Sequence, residues 1–133
     1  MSIDSKLTIF FFYLLACKIG QIQASSGKTF CTPCETGTKA TEGIMCTECQ
    51  PGRYNNYMGK TGCKTCPHGF VQNTSGMSLC SICMQGKIQK LDNFYVCQGC
   101  LEGTYQNKIG QTTCKDCIEG RYQLEVAESY CLP

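Results

Sequence analysis

Cysteine spacing limits what this chain can fold into more than any other feature. Six Cys-x-x-Cys pairs begin at Cys31, Cys46, Cys63, Cys80, Cys97 and Cys114, and a single Cys131 closes the series. After a first step of 15 residues the pairs recur every 17 residues, and Cys131 falls one further period on. A fixed period near 20 residues belongs to small units stacked in a row, each touching only its neighbours, and not to one folded core.

Aligning the copies on their first cysteine shows what else recurs. A glycine follows six positions later in every copy: Gly37, Gly52, Gly69, Gly86, Gly103 and Gly120. Two positions beyond it stand Tyr54, Val71, Ile88, Tyr105 and Tyr122, with Lys39 in the short first copy as the exception. Gly59, Gly76, Asn93, Gly110 and Ala127 then mark a second turn before the next cysteine. The pattern predicts a Cys-x-x-Cys turn, a glycine at positive φ, a short strand with an aromatic or β-branched residue, a second turn and a return strand. The fold class expected is therefore small and disulfide-rich: an elongated tandem array of short pinned β-hairpins, with little or no helix outside the leader.

Composition leaves little room for an alternative. The chain has 133 residues, 14 of them cysteine and none tryptophan, and no long apolar segment follows the first 20 or so positions. A hydrophobic core of ordinary size cannot be assembled from this material, so covalent links must replace it. No stretch shows sustained helical periodicity with caps. The net charge is only +2 with both signs interspersed, which gives no clustered basic face for a nucleic acid or a membrane surface.

The N-terminus reads as a secretory leader. Lys6 precedes the apolar run Leu7 to Cys17, too short to span a bilayer comfortably and placed where a signal-peptide hydrophobic region belongs. Ala24 before Ser25 is the expected cleavage position, with Ile22 at minus three. This divides the chain into a signal peptide at 1–24, a short linker at 25–30 and tandem repeats at 31–133. Leu14-Leu15-Ala16-Cys17 also has the form of a bacterial lipoprotein box, in which Cys17 would carry lipid. After Cys131 only Leu132 and Pro133 follow, so the sequence carries no transmembrane span or lipid-anchor tail. The chain is then either freely secreted or a truncated piece of a longer receptor-like protein.

A leader sets the redox compartment, and the compartment sets the meaning of the cysteines. In an oxidising lumen the array forms disulfides; in a reducing cytosol the same pairs would suit zinc ribbons, four thiolates to a metal. The leader and a lone histidine, His68, favour bridges, with an intracellular zinc-ribbon-like array as the alternative. Two connectivities fit the spacing. Joining the second cysteine of each pair to the first of the next links Cys34 with Cys46, Cys49 with Cys63, Cys66 with Cys80, Cys83 with Cys97, Cys100 with Cys114 and Cys117 with Cys131. It leaves Cys31 unpaired. A staggered scheme joins first to first and second to second, leaves Cys131 over, and calls for a 34-residue alternation that the sequence does not show.

The fifth copy, Cys97-Gln-Gly-Cys100-Leu-Glu-Gly103-Thr-Tyr105-Gln-Asn107-Lys-Ile-Gly110-Gln-Thr-Thr-Cys114, is the most specific. It resembles the ephrin-receptor-like cysteine-rich repeat, related to growth-factor-receptor and tumour-necrosis-factor-receptor cysteine-rich modules. Cys49-Gln-Pro-Gly52-Arg-Tyr54-Asn-Asn-Tyr-Met-Gly59-Lys-Thr-Gly-Cys63 repeats the pattern closely. The fourth copy departs at Lys87, Ile88 and Asn93, and the first is two residues short. The resemblance implies an extracellular rod used in ligand display or recognition. It carries over no ligand-contact residue, because the shared positions are those of the scaffold.

Individual side chains add little chemistry. His68 beside Pro67 has no second histidine or convergent carboxylate, so a solvated turn residue is expected. Tyr54, Tyr105 and Tyr122 suit either an exposed recognition stripe or rings covering the disulfides. Glu42, Glu48, Glu119, Glu125 and Glu128 give carboxylates without paired acid–base geometry. No catalytic residue, metal ligand or cofactor is expected, and the chain is read as a non-enzyme. Asn73-Thr74-Ser75 is the one Asn-x-Ser/Thr sequon and places a candidate glycan on an outer turn. The function expected is binding, adhesion or coat formation outside the cell, with a protein or glycan ligand.

Overall fold

A computed structural model describes residues 17–23 and 30–133. The leader up to residue 16 and the cleavage position expected after Ala24 lie outside these residues. The described chain is a row of seven disulfide-closed loops, six of them associated with a pair of short antiparallel strands, with no helix among the described residues.

Every loop but the first begins at the second cysteine of a pair, and every loop but the last ends at the first cysteine of the next. The bridges are Cys17–Cys31, Cys34–Cys46, Cys49–Cys63, Cys66–Cys80, Cys83–Cys97, Cys100–Cys114 and Cys117–Cys131. Their Cα separations of 5.6–5.9 Å suit unstrained bridging. This is the consecutive arrangement with one correction. Cys31 is not left over: it bonds Cys17, which the sequence reading had placed in the leader. The same bond uses the sulfur that a lipoprotein box would require for a thioether.

The strands are β1 Gln21–Ile22, β2 Thr32–Pro33, β3 Thr38–Thr41, β4 Met45–Glu48, β5 Arg53–Tyr54, β6 Lys64–Thr65, β7 Phe70–Val71, β8 Ser81–Ile82, β9 Lys87–Ile88, β10 Gln98–Gly99, β11 Thr104–Tyr105 and β12 Lys115–Asp116. They pair in order, β1 with β2 through β11 with β12, and Tyr122 bridges Leu132 in the last loop. From β6 onward each even-numbered strand is the dipeptide between the two cysteines of a pair, as in Lys64–Thr65 between Cys63 and Cys66. The Cys-x-x-Cys segment is thus a strand and not the expected turn; the reversal comes immediately after it, at the glycine. Gly52, for example, holds φ +79°, a conformation that only glycine adopts without cost.

Stacking follows from backbone hydrogen bonds that repeat with the loops. The N–H of the first cysteine of one loop donates to the glycine carbonyl of the loop before it, as Cys66 does to Gly52 at 3.0 Å and Cys100 to Gly86 at 2.9 Å. That glycine's own N–H donates forward, Gly86 to the carbonyl of Gln106 and Gly103 to that of Gln123, both at 2.7 Å. Turn amides complete the ladder, Gly110 donating to Cys83 and Ala127 to Cys100 at 2.7 and 2.8 Å. The first loop takes part as well: Cys34 N–H donates to Gly20, and Gln23 N–H to Gly43. Loop closure by disulfide and longitudinal hydrogen bonding together replace a hydrophobic core.

Contacts reach farther than the next unit. A Cβ built on Gly37 would stand 2.7 Å from the carbonyl carbon of Gly76, and one on Gly86 would stand 2.6 Å from that of Ala127. The turn two loops ahead therefore lies directly on each of these glycines, which corrects the expectation that a unit touches only its immediate neighbours.

Candidate binding surface

The interior of the stack is unusual in chemistry. Cys34, Cys49, Cys66, Cys83 and Cys100, the opening cysteines of five successive loops, are buried, whereas Cys46, Cys63, Cys80, Cys97, Cys114 and Cys131 at the closing ends are half-buried. Val71 is the one aliphatic side chain among the buried residues. The remaining buried positions are amides: Asn55, Gln72, Gln89, Gln106 and Gln123.

These amides act as internal clamps. Gln72 Nε2 donates to Leu79 O at 2.8 Å while its Oε1 accepts from Thr74 N–H at 3.1 Å. Gln106 does the same between Thr113 O and Lys108 N–H, and Gln123 between Tyr130 O and Glu125 N–H. Each of these three glutamines so crosses its own second turn and fixes its shape, whereas Asn55 Nδ2 donates to Thr38 O of the preceding loop. Among the described residues no buried side-chain nitrogen or oxygen lacks a partner, which is the condition for tolerating such groups in an interior. The sequence reading passed over this position. Its signal was available, since a carboxamide recurs six residues after the opening cysteine in each of the last five loops and in Gln23 of the first.

The fourth and fifth loops join differently. Gly69 N–H donates to the side-chain Oε1 of Gln89 at 3.0 Å, in place of the backbone carbonyl used elsewhere. Asn93 N–H turns back to Lys90 O, and its side chain accepts from Tyr95 and Val96 N–H. Phe94 and Tyr95 lie over Gly52, with Tyr95 Cε1 3.2 Å from the position a Cβ would take. An asparagine at a turn where other loops have glycine or alanine, followed by two aromatics, has re-aimed this corner while leaving the outer rung Gln72 N–H to Phe94 O intact at 2.9 Å.

With the inside filled by scaffold, any recognition falls to the outside. His68 is exposed, its ring centroid 6.0 Å from that of Phe94. Tyr54 and Tyr105 are half-buried and Tyr122 is exposed, so the three rings do not make a uniform stripe. The Lys115 ammonium stands 5.8 Å from the Tyr105 ring centroid, a cation–π contact across the β11–β12 pair. Glu48 lies against Gly76, and together with Lys39, Thr41, Thr47 and Arg53 it lines an open hollow of about 440 Å³ bearing charges of both signs. Glu42, Glu119 and Glu125 are exposed and Glu128 half-buried. Asn73 is exposed, its Oδ1 accepting from Thr74 Oγ1.

Exposed apolar side chains recur at one repeat position in the last loops. The residue after each loop's opening cysteine is Met84, Leu101 and Ile118 in the last three loops, exposed by 60%, 65% and 69%. The equivalent residues in the first four loops are Lys18, Glu35, Gln50 and Pro67. The positions are equivalent in the repeat, and they carry Met, Leu and Ile only from the altered junction onward. Residues 86–131 match the family model described as tyrosine-protein kinase ephrin type A/B receptor-like. This segment is similar to the ephrin-receptor-like cysteine-rich repeat. No curated protein matches the chain. The match covers the last three loops from the glycine of the first of them, and the same bridge pattern runs back to Cys17. All fourteen half-cystines are bonded, and the two cysteines of each pair sit in different bridges, so among the described residues no thiolate remains for a ribbon-type metal site.

Proposed function

We propose that this chain is a secreted or cell-surface-associated extracellular protein that works by binding, as an adhesive or coat-forming module, and has no catalytic role. The observation that carries the reading is the complete set of consecutive disulfides, which persists only in an oxidising compartment. The similarity of 86–131 to the ephrin-receptor-like repeat supports it. The partner is an extracellular protein or glycan held on the outer surface, with Met84, Leu101 and Ile118 offering the apolar contact that protein partners favour.

Alkylation of the protein from its native source, before and after reduction, tests the compartment: no reactive thiol before reduction is expected, and a fully thiol form with bound zinc would replace this reading with the zinc-ribbon one. The triple variant Met84→Ser, Leu101→Ser, Ile118→Ser should keep all bridges and lose adhesion to cells or to other coat components; unchanged adhesion would move the binding face elsewhere. The exposed Asn73 is proposed as a glycosylation site, with a mass decrease on treatment with a glycan-releasing amidase as its check.

A further inference from the structure

Residues 17–31 carry the complete sequence pattern of one loop. Cys17, Gly20, Gln23, Gly27 and Cys31 stand at the spacings of Cys49, Gly52, Asn55, Gly59 and Cys63, and Lys28-Thr29 repeats Lys60-Thr61 after the turn glycine. The structure engages this loop as it does the rest. Cys17 bonds Cys31, β1 pairs with β2, Gly20 O accepts from Cys34 N–H at 3.1 Å, and Gln23 N–H reaches Gly43 O at 3.3 Å. Gly20 has φ +86° and is covered by the carbonyl of Gly59 from two loops ahead. Removing a leader after Ala24 would take Cys17, Gly20, β1 and Gln23 with it. It would leave Cys31 as an odd thiol, the Cys34 N–H without its acceptor, and the third loop's turn without the surface it packs on.

We infer that the leader is severed between Ala16 and Cys17, so that the mature chain opens on the first bridged cysteine and keeps seven loops. The inference rests on the secretory reading above. Lys6 and the apolar run Leu7 to Ala16 supply the charged and hydrophobic regions of a signal peptide, and Ala16 is the first Ala, Gly or Ser after Lys6. It places the small residue a signal peptidase needs next to the cut, with Leu14 at minus three. The chemistry is hydrolysis of one amide bond: water adds across Ala16–Cys17, the leader departs with a new carboxylate on Ala16, and Cys17 gains a free α-amine. The sulfur of Cys17 takes no part, being committed to Cys31, so the processed terminus is a peptide amine and not a lipidated cysteine.

Expression of the full chain in a eukaryotic secretory host provides the test, with N-terminal sequencing and intact mass of the exported product, alkylated without and then with reduction. The expected product begins at Cys17 and has no alkylatable thiol before reduction. A product beginning at Ser25 with one reactive thiol overturns the inference while leaving the secretory reading standing, as does a product whose mass includes lipid on Cys17. A chain retained inside the cell with Met1 in place overturns both. The variants separate the two positions: Ala16→Trp should retain the leader, whereas Ala24→Trp should be exported with its terminus still at Cys17. The reverse pattern would assign the cut to Ala24.

Discussion

Gly86 and Gly103 occupy the same place in successive loops, with φ of +81° and +77°, yet they face different surroundings. Gly86 is buried, and the Ala127 carbonyl fills the space a Cβ would need; Gly103 is exposed, with nothing within 4 Å of that position. The turn that would cover Gly103 belongs to a loop two places on, beyond the last one described. One residue type therefore answers two demands, left-handed backbone everywhere and close approach of a neighbouring turn only inside the stack. Sequence shows the glycines as equivalent, but the stack does not treat them so.

Bridge removal gives the largest effect and tests whether inside and end differ in reach. The Cys83–Cys97 and Cys117–Cys131 bridges close loops of the same length, 14 residues of separation each, so chain entropy assigns them the same stabilisation of roughly 3 kcal/mol. The double variant Cys83→Ser, Cys97→Ser should nonetheless open its neighbours as well, with new proteolytic cleavage spread over about residues 66–131. Cys117→Ser with Cys131→Ser should confine cleavage to the segment after residue 100. Equal spread in both would mean that loops two apart are not coupled. Replacing one partner alone, as in Cys97→Ser, should be worse than either pair, because the stranded thiol can exchange with Cys100 or crosslink chains.

Alanine at the two glycines compares them directly. Gly86→Ala meets both the left-handed penalty of about 1–2 kcal/mol and the overpacking cost of about 1–3 kcal/mol. Gly103→Ala meets only the first. Amide exchange of Gly110 and Ala127, whose N–H groups hold the turns to the preceding loops, should accelerate strongly in the first variant and stay near the wild-type rate in the second. Matching rates would show that the turn over Gly86 can retreat freely.

The clamping amides sharpen the same contrast more gently. Gln106→Leu leaves the Thr113 carbonyl and Lys108 N–H without their partner, at a cost of about 1–3 kcal/mol if water cannot replace it. Gln123→Leu removes the same pair of bonds in the last loop, to Tyr130 and Glu125, where no later described loop adds the cover that Gln106 has through its N–H to Glu128 O, and should cost under about 1 kcal/mol. Denaturation of the disulfide-intact proteins would rank them, and an equal loss would contradict the role given to the covering loop. Smallest of all is Ala127→Gly. Ala127 holds φ +61°, and relieving it should raise stability by up to about 1 kcal/mol, the left-handed cost less the entropy a glycine adds to the unfolded chain; a loss of stability would show that its Cβ contact with Gly99 outweighs the backbone cost.

The period made the architecture and the pairing of Cys34 through Cys131 legible, because equivalent spacing demands equivalent closure. Cys17 escaped because it ends an apolar run, and hydrophobicity drew it into the leader although Gly20 and Gln23 stand in repeat register behind it. The buried amides escaped for a related reason: a search for apolar core residues looks past Gln89 and Gln106, the largest side chains of the fully buried set, since polar groups enter an interior only when the turn around them supplies every partner. The junction of the fourth and fifth loops was signalled at Asn93 but not its outcome. Whether Gln89 meets Gly69 through its backbone or its side chain depends on how the Phe94 and Tyr95 corner packs, which spacing does not encode.

Disulfide placement also governs how the molecule would bear tension. A pulled chain cannot draw out the residues inside a closed loop; force passes from half-cystine to half-cystine across the bridge. Each 17-residue unit can then lengthen only to the bridge span of 5.6–5.9 Å plus three backbone steps, about 16 Å, against about 58 Å for the same residues fully extended. The hydrogen-bonded ladder can yield and re-form within that limit, while the bridges shield most of the sequence from load.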